Sequence, residues 1–437
     1  MTQIEVANGG RVLVIGLDGI TWDLLGPWME AGKLPNLARL RREGTRAVLM
    51  STIVPGSAPA WVSFKTGKRM GNHGVFQFVQ PKPCSYQVQF INGSHVRGKS
   101  LWRLLSEAGK QVVVINVPMT FPAEKVNGCL IAGLDAPGIG PGFAHPPDLL
   151  QTVEQATGKY ILEPGMWGYI SQGRQDEALA RMHEAIEKRF HVAQHLMRRE
   201  PWDFFMVVFT ASDRVQHFFW KYIEPTHPQY DPDVPAAWRD AIFDCYRYLD
   251  RIVGELSAAL QPDDNLLICS DHGAGPIGDR SFYLNQWLAE NGFLTMHEAG
   301  GAGLAARARQ WVLSNLRKSV RRFLSRPAKE WLMRRFPRLR DRVEGALLFS
   351  RIDWDRTQAY ALEGEPLIYI NLKGRQPQGI VEPEQYDAVR QRIIDGLQAL
   401  RDPWEGWPVA RPRPREEVFH GEALDEAPDI AVFLRHE

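Results

Sequence analysis

Cysteines and long apolar runs are both scarce in this chain. Only four cysteines occur among the 437 residues, and no two of them form a C-x-x-C pair: Cys84, Cys129, Cys245 and Cys269. Thiols this few and this scattered exclude a disulfide framework and predict a reducing compartment. The chain has no apolar stretch of about 18 residues, and its N-terminus has no basic region followed by a long apolar run. From these absences we expect a soluble protein of the cytoplasm.

An excess of charge of one sign is also lacking, because 52 Lys and Arg nearly cancel 51 Asp and Glu. The net charge therefore predicts no particular partner, and no nucleic acid is expected. The hydrophobic fraction of 44% and the charged fraction of 24% are ordinary globular values. They exclude a disordered chain, a collagen-like repeat and a coiled-coil rod. The length predicts two or three folding units, or one large α/β domain with insertions.

What the chain does contain is a series of short, continuously apolar segments separated by stretches with helical periodicity. Such segments are typical of strands buried on both faces of a parallel sheet. The predicted strands are 11–18, 111–117, 203–209, 265–270 and 429–434. The predicted helices are 23–43, 100–109, 177–199, 236–260 and 383–400. This alternation predicts an α/β fold with a doubly wound, mostly parallel sheet, in which ligands lie beyond the carboxyl ends of the strands.

The same pattern predicts a division of the chain into core and insertions. We expect a catalytic α/β core of residues 1–75, 100–290 and 350–437, with loop or cap insertions at 76–99 and 137–173. We predict that residues 300–345 form a basic amphipathic helical cap, since 307–342 carry 13 Lys and Arg against two acids. That segment is either a cap with a solvated basic face or a contact with a membrane surface or anionic partner. It lacks the interleaved aromatics of single-strand nucleic-acid binders.

Residues of the types that bind metals stand at three of the predicted strand ends. Asp18 ends the first strand, Asp213 and His217 follow the 203–209 strand four residues apart, and Asp271 and His272 follow the 265–270 strand. Taken alone, each of these residues or pairs is commonly found in a turn, at a helix cap or as a surface pair. Together they predict a metal site, and carboxylates with imidazoles suit Zn²⁺ or, less selectively, Mn²⁺ or Fe. Five such residues could hold two metals about 4 Å apart, an arrangement used for displacement at phosphorus.

A candidate nucleophile lies between the first two of these strands. Ser57 follows a turn-forming Pro-Gly and precedes a short helical run, so backbone amides would lie near its hydroxyl group. An ordinary N-cap serine has the same local pattern. Ser51, Thr52 and Ser63 are nearby rivals.

Five segments together resemble the alkaline phosphatase superfamily, and most closely its type I phosphodiesterase/nucleotide pyrophosphatase branch, including the bacterial proteins described only as predicted phosphohydrolases or phosphomutases. They are GLDGITWDLLGPWMEAGKLPNLARLRREGTRA, PGSAPAWVSFKTGKRMGNHGVFQF, SDRVQHFFW, SDHGAGP and IYINLKGR, in the family's order over nearly the whole chain. The resemblance implies an α/β/α sandwich around a central, mostly parallel sheet with helical and loop cap insertions. It also implies two zinc ions and a covalent phosphoserine intermediate.

Carried over residue by residue, the resemblance implies that one metal is bound by a set of four residues that includes the nucleophile Ser57: Asp18, Ser57, Asp271 and His272. Asp213 and His217 would bind the second metal, which the family completes with a later histidine in a G-x-H-like motif. The late histidines here are His420 and His436, and neither has that context. The second metal is therefore expected to be weakly held, held by a substitute ligand, or absent.

The function predicted from these residues is metal-dependent hydrolysis of a small phosphate ester, a diester or a monoester, through a phosphoserine. A sulfatase is disfavoured because Ser57-Ala58-Pro59-Ala60-Trp61 lacks the arginine of the C/S-x-P-x-R modification motif. The alternatives are a phosphomutase or phosphotransferase, and a non-catalytic or shortened family member that binds phosphorylated ligands.

Overall fold

The computed structural model describes residues 10–278, 280–297, 349, 351–362 and 364–434. Two compact units contain them, one within Met1–Lys68 and Asn92–Asp279 and the other within Arg69–Ile91 and Arg280–Glu437. The predicted basic cap at 300–345, and His436, lie outside the described residues. No helix in the described part of the chain is both long enough and apolar enough to cross a membrane.

The described residues contain twelve strands and fourteen α-helices. The strands are β1 (Val12–Leu17), β2 (Val79–Pro81), β3 (Val88–Phe90), β4 (Val112–Ile115), β5 (Gly128–Ile131), β6 (Ala144–His145), β7 (Phe204–Phe209), β8 (Asn265–Cys269), β9 (Ala359–Ala361), β10 (Leu367–Ile370), β11 (Ala410–Pro414) and β12 (Ile430–Leu434). The helices are α1 (Trp22–Glu30), α2 (Pro35–Glu43), α3 (Ser57–Thr66), α4 (Met70–His73), α5 (Leu101–Glu107), α6 (Leu149–Thr157), α7 (Met166–Ile170), α8 (Gln175–Arg199), α9 (Ala211–Phe219), α10 (Ala236–Arg239), α11 (Ala241–Ser257), α12 (Leu284–Glu290), α13 (Tyr386–Ala399) and α14 (Arg415–Val418).

The first unit is built on a six-stranded sheet in the order β6-β5-β4-β7-β1-β8. All neighbouring strands are parallel except β5 and β6, which are antiparallel. Every residue of β4 and β7 is buried, as continuous runs of Val, Ile and Phe predict for central strands. The predicted mixed α/β class with a mostly parallel central sheet is therefore confirmed.

Amphipathic helices cover this sheet. α11 buries residues at helical spacing along one face, among them Ile242, Tyr246, Leu249 and Val253. The predicted helix at 23–43 is in fact two helices, because Pro35 begins α2 at a position where its missing N–H leaves no hydrogen bond unmade. Residues 137–173, which the sequence predicts to be a loop or cap insertion, contain β6, α6 and α7.

The second unit contains a separate antiparallel sheet in the order β11-β12-β10-β9 and the β2–β3 hairpin. The predicted strand at 429–434 exists as β12, but its assignment to the parallel sheet is wrong, because β12 pairs antiparallel with β10 and β11. The carboxylate of Asp429 lies at the start of β12, fully buried, and accepts hydrogen bonds from Arg375 at 2.5 Å and from the Tyr386 hydroxyl at 2.6 Å. Arg375 is the last residue of the IYINLKGR segment, so this segment is hydrogen-bonded to Asp429.

The domain boundaries inferred from the sequence stay a prediction.

Candidate metal centre and nucleophile

Three adjacent strand ends carry the candidate ligands of the first unit. Asp18 follows β1, Asp213 lies in the first turn of α9 just after β7, and Asp271 follows β8. Because β7, β1 and β8 are neighbours and run parallel, their carboxyl ends meet at one edge of the sheet. Donor atoms of Asp18, Asp213 and His272 all lie within 4.8 Å of one another.

Ser57 begins α3 and lies at the centre of this group. Its Oγ donates a 3.2 Å hydrogen bond to Oδ1 of Asp18 and is 3.2 Å from Nε2 of His272. Gly56 is the N-cap and provides no side chain, so the space ahead of the first-turn amides of α3 stays free of a capping group.

Two of the three rival hydroxyl groups have backbone partners instead. Ser51 donates to the carbonyl oxygen of Asp271 at 2.6 Å, and Thr52 donates to the carbonyl oxygen of Val54 at 3.0 Å. Ser63 lies on α3, six residues after Ser57. The Ser57 hydroxyl contacts the side chains of two candidate ligands, Asp18 and His272.

Asp18 is the most perturbed carboxyl group of the cluster. It is buried, and burial together with the charges of Asp271 and Asp213 raises the pKa of Asp18 to about 8. A carboxyl group that is buried beside two others is unstable as an anion unless a cation compensates it.

Asp271 and His272 form the second part of the cluster. Burial raises the pKa of the Asp271 carboxyl, and its buried Oδ2 has no hydrogen-bond partner among the described residues. Nε2 of His272 lies 3.4 Å from that oxygen. Burial opposes protonation of His272, but the charges of Asp271, Asp18 and Asp213 and the hydrogen bond to the Gly273 backbone together outweigh it and raise the pKa of the imidazole. An orphaned carboxylate oxygen beside an imidazole nitrogen suits a divalent cation.

Asp213 and His217 are four residues apart on α9, as the spacing predicts. Nε2 of His217 lies 3.1 Å from Oδ1 of Asp213. Burial would raise the pKa of Asp213, but the hydrogen bond and charge of His217, together with the charges of Arg214 and His272, outweigh it and lower the pKa of that carboxyl. The Asp213 side chain is 13% exposed and the His217 side chain 62% exposed, so this pair forms the open side of the cluster.

Trp61 is a site residue that sequence reasoning missed. It lies one helical turn after Ser57 on α3, is fully buried, and donates from Nε1 to Oδ2 of Asp18 at 2.9 Å. The sequence signal that could have identified Trp61 is its i, i+4 spacing from Ser57, which places both residues on the same face of the helix. Gly16 makes room for this indole, because a Cβ at position 16 would lie 2.6 Å from Cη2 of Trp61.

Other polar groups fix the backbone around the ligands. Gly19 has a positive φ of 66° and donates its N–H to Oδ1 of Asp271 at 3.1 Å. Ser212 donates to the carbonyl oxygen of Asp18 at 2.6 Å, and Gln216 donates to that of Gly19 at 2.8 Å. These contacts hold β1, α9 and the loop after β8 in one arrangement.

The sequence-predicted site residues therefore divide into two groups. The six that the family resemblance named lie together in the first unit: Asp18, Ser57, Asp213, His217, Asp271 and His272. His420 lies in the second unit, where its backbone packs against Gly71. The catalytic and ligand roles of the six stay predictions.

Solved structures with a similar fold include two of the phosphonoacetate hydrolase from Sinorhizobium meliloti 1021, one in complex with phosphonoacetate and the other with phosphonoformate. Each matches with a TM-score of 0.52 and 16% identity, over 98% of this chain and 81% of that chain. These matches support a mixed α/β fold around a central, mostly parallel sheet.

No curated protein matches the chain. The family model described as type I phosphodiesterase / nucleotide pyrophosphatase matches residues 12–437. The match includes all six residues of the cluster and extends over both units. The chain therefore belongs to the type I phosphodiesterase/nucleotide pyrophosphatase family.

Proposed function

We propose that the protein is a metal-dependent phosphoric ester hydrolase that acts through a phosphoserine at Ser57. The observation that carries this proposal is the position of Ser57 Oγ, 3.2 Å from both Oδ1 of Asp18 and Nε2 of His272, at the N-terminus of α3. Membership of a family of phosphodiesterases supports the reaction class.

The donor set supports two divalent cations, of which Zn²⁺ is the preferred type and Mn²⁺ the alternative. Asp18, Ser57, Asp271 and His272 would hold the first, and Asp213 and His217 would hold the second, more exposed one. The orphaned Oδ2 of Asp271 and the raised pKa of Asp18 support this fit, since both features mark a site that lacks compensating positive charge. When bound, such a cation lowers the pKa of a serine hydroxyl and neutralises charge on a phosphate.

The chain's own residues position the nucleophile and stabilise the negative charge on the phosphoryl group. The hydroxyl proton of Ser57 is directed at Oδ1 of Asp18, so an oxygen lone pair is free to attack phosphorus. The first-turn amides of α3 have no side-chain cap and would bind the oxygens of the phosphoryl group, and the positive end of the helix dipole would favour the charge that builds up there. The Oγ–P bond forms as the ester P–O bond breaks, and the alcohol leaves. Water then breaks the Oγ–P bond, which releases phosphate or a phosphomonoester.

We propose a small-molecule substrate, either a diester or a monoester. The similar hydrolase from Sinorhizobium meliloti 1021 was solved with two small phosphonates, whose tetrahedral oxyanion resembles that of a phosphate ester. We also propose a cytoplasmic location, which the four cysteines support because all of them are free thiols.

Matched serine variants test the proposal. Ser57→Ala should lower kcat on bis(p-nitrophenyl) phosphate or on p-nitrophenyl phosphate by at least about 10³-fold, with an unchanged melting temperature. Ser63→Ala, on the same helix, should keep its activity. Acid-quenched wild-type protein should carry one phosphoryl group on the peptide that contains Ser57. Full turnover by Ser57→Ala would overturn the assignment of the nucleophile.

A further inference from the structure

The loop of residues 19–21 follows Asp18 directly, and side chains from two other elements accept its three amides. The first two amides donate to Oδ1 of Asp271 at 3.1 Å and to Oγ of Ser270 at 3.0 Å, both just after β8. The third amide donates to the hydroxyl oxygen of Tyr246, on α11, at 3.3 Å. The backbone next to a proposed metal ligand is therefore held from outside its own strand.

The hydroxyl group of Tyr246 donates as well as accepts. Its proton is directed at Oε1 of Gln216, on α9, at 2.9 Å. The amide nitrogen of Gln216 donates in turn to the carbonyl oxygens of Gly19 and Ser212, both at 2.8 Å. Tyr246 and Gln216 are 0% and 4% exposed. One buried hydroxyl group thus links α11, α9 and loop 19–21.

This link joins the two proposed ligand sets. Loop 19–21 directly follows Asp18, a ligand proposed for the first cation. Gln216 lies on α9 one residue before His217, a ligand proposed for the second cation. The separation of these two ligands therefore depends on how the Gln216 amide is oriented, and the Tyr246 hydroxyl fixes that orientation.

Packing alone does not require the hydroxyl group. The ring of Tyr246 packs edge-on against the ring of Trp28, with centroids 5.1 Å apart, and a phenylalanine ring would make the same contact. A buried hydroxyl group costs free energy unless it is hydrogen-bonded, and this one both accepts and donates. A buried polar network whose members are all paired fixes one arrangement of the elements that it joins.

We propose that Tyr246 is a positioning residue of the metal centre, an inference that rests on the proposed function. It acts through Gln216 and loop 19–21, and it sets the separation between Asp18 and the ligands on α9. Without the hydroxyl group, the Gln216 amide loses its acceptor-side partner and the amide of Thr21 loses its acceptor. The two ligand sets then lose their fixed spacing, while the core keeps an aromatic ring.

Matched phenylalanine variants test this role. Tyr246→Phe should lower Zn²⁺ affinity about tenfold and, at saturating Zn²⁺, lower kcat on p-nitrophenyl phosphate about tenfold with KM within about twofold of wild type. Tyr160→Phe is the control, because Tyr160 is also buried in the first unit and its hydroxyl accepts from Nε of Arg189 at 3.5 Å. It should keep wild-type Zn²⁺ affinity and kcat, even if its melting temperature falls as far as that of Tyr246→Phe.

A variant at the next link extends the test. Gln216→Met breaks the same chain of hydrogen bonds, so Tyr246→Phe combined with Gln216→Met should lose no more Zn²⁺ affinity than Gln216→Met alone. Additive losses would contradict action through Gln216. If Tyr246→Phe does not fold, Gln216→Met decides the question, with the loss of affinity and of kcat at unchanged KM expected of it.

The outcomes separate this inference from the proposed reaction. Wild-type Zn²⁺ affinity and kcat in Tyr246→Phe, or equal losses in Tyr246→Phe and Tyr160→Phe, would overturn the positioning role and leave the hydrolase standing. A wild-type protein that neither binds Zn²⁺ nor turns over an ester would overturn both.

Discussion

The indole Nε1 of Trp61 donates a 2.9 Å hydrogen bond to Oδ2 of Asp18, and both side chains are buried. The other oxygen of the same carboxylate accepts a hydrogen bond from the hydroxyl group of Ser57 at 3.2 Å. α3 therefore carries both the proposed nucleophile and the group that orients a proposed metal ligand. Helix and strand end act as one unit, in which a shift of α3 moves the serine and the carboxylate together.

Removing the Trp61 hydrogen bond tests whether this orientation matters. Trp61→Phe keeps an aromatic ring in the core but leaves Oδ2 of Asp18 without its donor. We expect the affinity for Zn²⁺ and kcat/KM to fall by about 10- to 100-fold, as for other groups that orient metal ligands. Calorimetric titration of the metal-depleted protein measures the first quantity and an ester assay the second.

Trp102 provides the matched control. It is also fully buried in the first unit, and its Nε1 donates to Oε1 of Glu124 at 3.2 Å. Trp102→Phe should lower the free energy of unfolding by about 1 kcal/mol and leave Zn²⁺ affinity unchanged. If both variants lose metal affinity equally, the effect of Trp61 is on general stability and the positioning role is wrong.

A methyl group at Gly19 should damage the site through the backbone. Gly19 has a φ of 66°, and a Cβ there would lie 3.0 Å from Cβ of Asp213. Gly19→Ala therefore strains the turn and displaces Asp213, and we expect weaker Zn²⁺ binding together with a lower melting temperature. Gly168→Ala is the control, because Gly168 lies within α7 and an added methyl group there has nothing within 4 Å beyond its chain neighbours and its own helix backbone. It should raise stability by about 0.5–1 kcal/mol. A Gly19→Ala protein with wild-type metal affinity would contradict the close approach.

A pH-dependent contribution to stability is expected from Asp264, which lies just before β8. Its carboxylate accepts hydrogen bonds from Arg11 and from the Gln261 amide, and the Arg11 bond lowers the pKa of Asp264 to about 2. Because the folded-state pKa lies below the unfolded value, the contribution is complete above about pH 4 and disappears as the pH falls through 2. Asp264→Asn should therefore reduce the free energy of unfolding at pH 7 by about 1–2 kcal/mol, with allowance for partial exposure.

Urea denaturation between pH 7 and pH 2.5 measures this contribution. The difference between Asp264→Asn and the wild type should narrow only below about pH 4. A difference that stays constant down to pH 2.5 would mean that the variant acts through packing and not through charge.

The sequence predicted the strand ends better than the arrangement around them. Asp18, Asp213 and Asp271 were recognised as candidate ligands because apolar runs end just before each, and parallel strands expose their carboxyl ends at one edge. The order that makes β7, β1 and β8 neighbours is not encoded in local periodicity. It depends on which helices pack on which face of the sheet. The proximity of these residues could therefore be inferred only from the three strand ends taken together.

The elements that were wrong or missed depend on contacts distant in sequence. β12 is as apolar as a central parallel strand, yet it lies in the antiparallel sheet because it pairs with β10 and β11. Trp61 reads as an ordinary core residue, and its role depends on a hydrogen bond to a residue 43 positions away. Propensity and periodicity contain neither kind of information.

Metal binding by the depleted protein tests the central claim most directly. The account predicts that wild-type protein treated with chelator and then dialysed binds Zn²⁺ at one or two sites per chain, as followed by calorimetry and elemental analysis. Asp18→Ala and Asp271→Ala should each lose at least one of these sites, and Asp231→Asn, at an exposed carboxylate, should lose none. Absence of Zn²⁺ and Mn²⁺ binding by the wild type, or equal stoichiometry in all three variants, would contradict the metal centre and the hydrolase mechanism built on it.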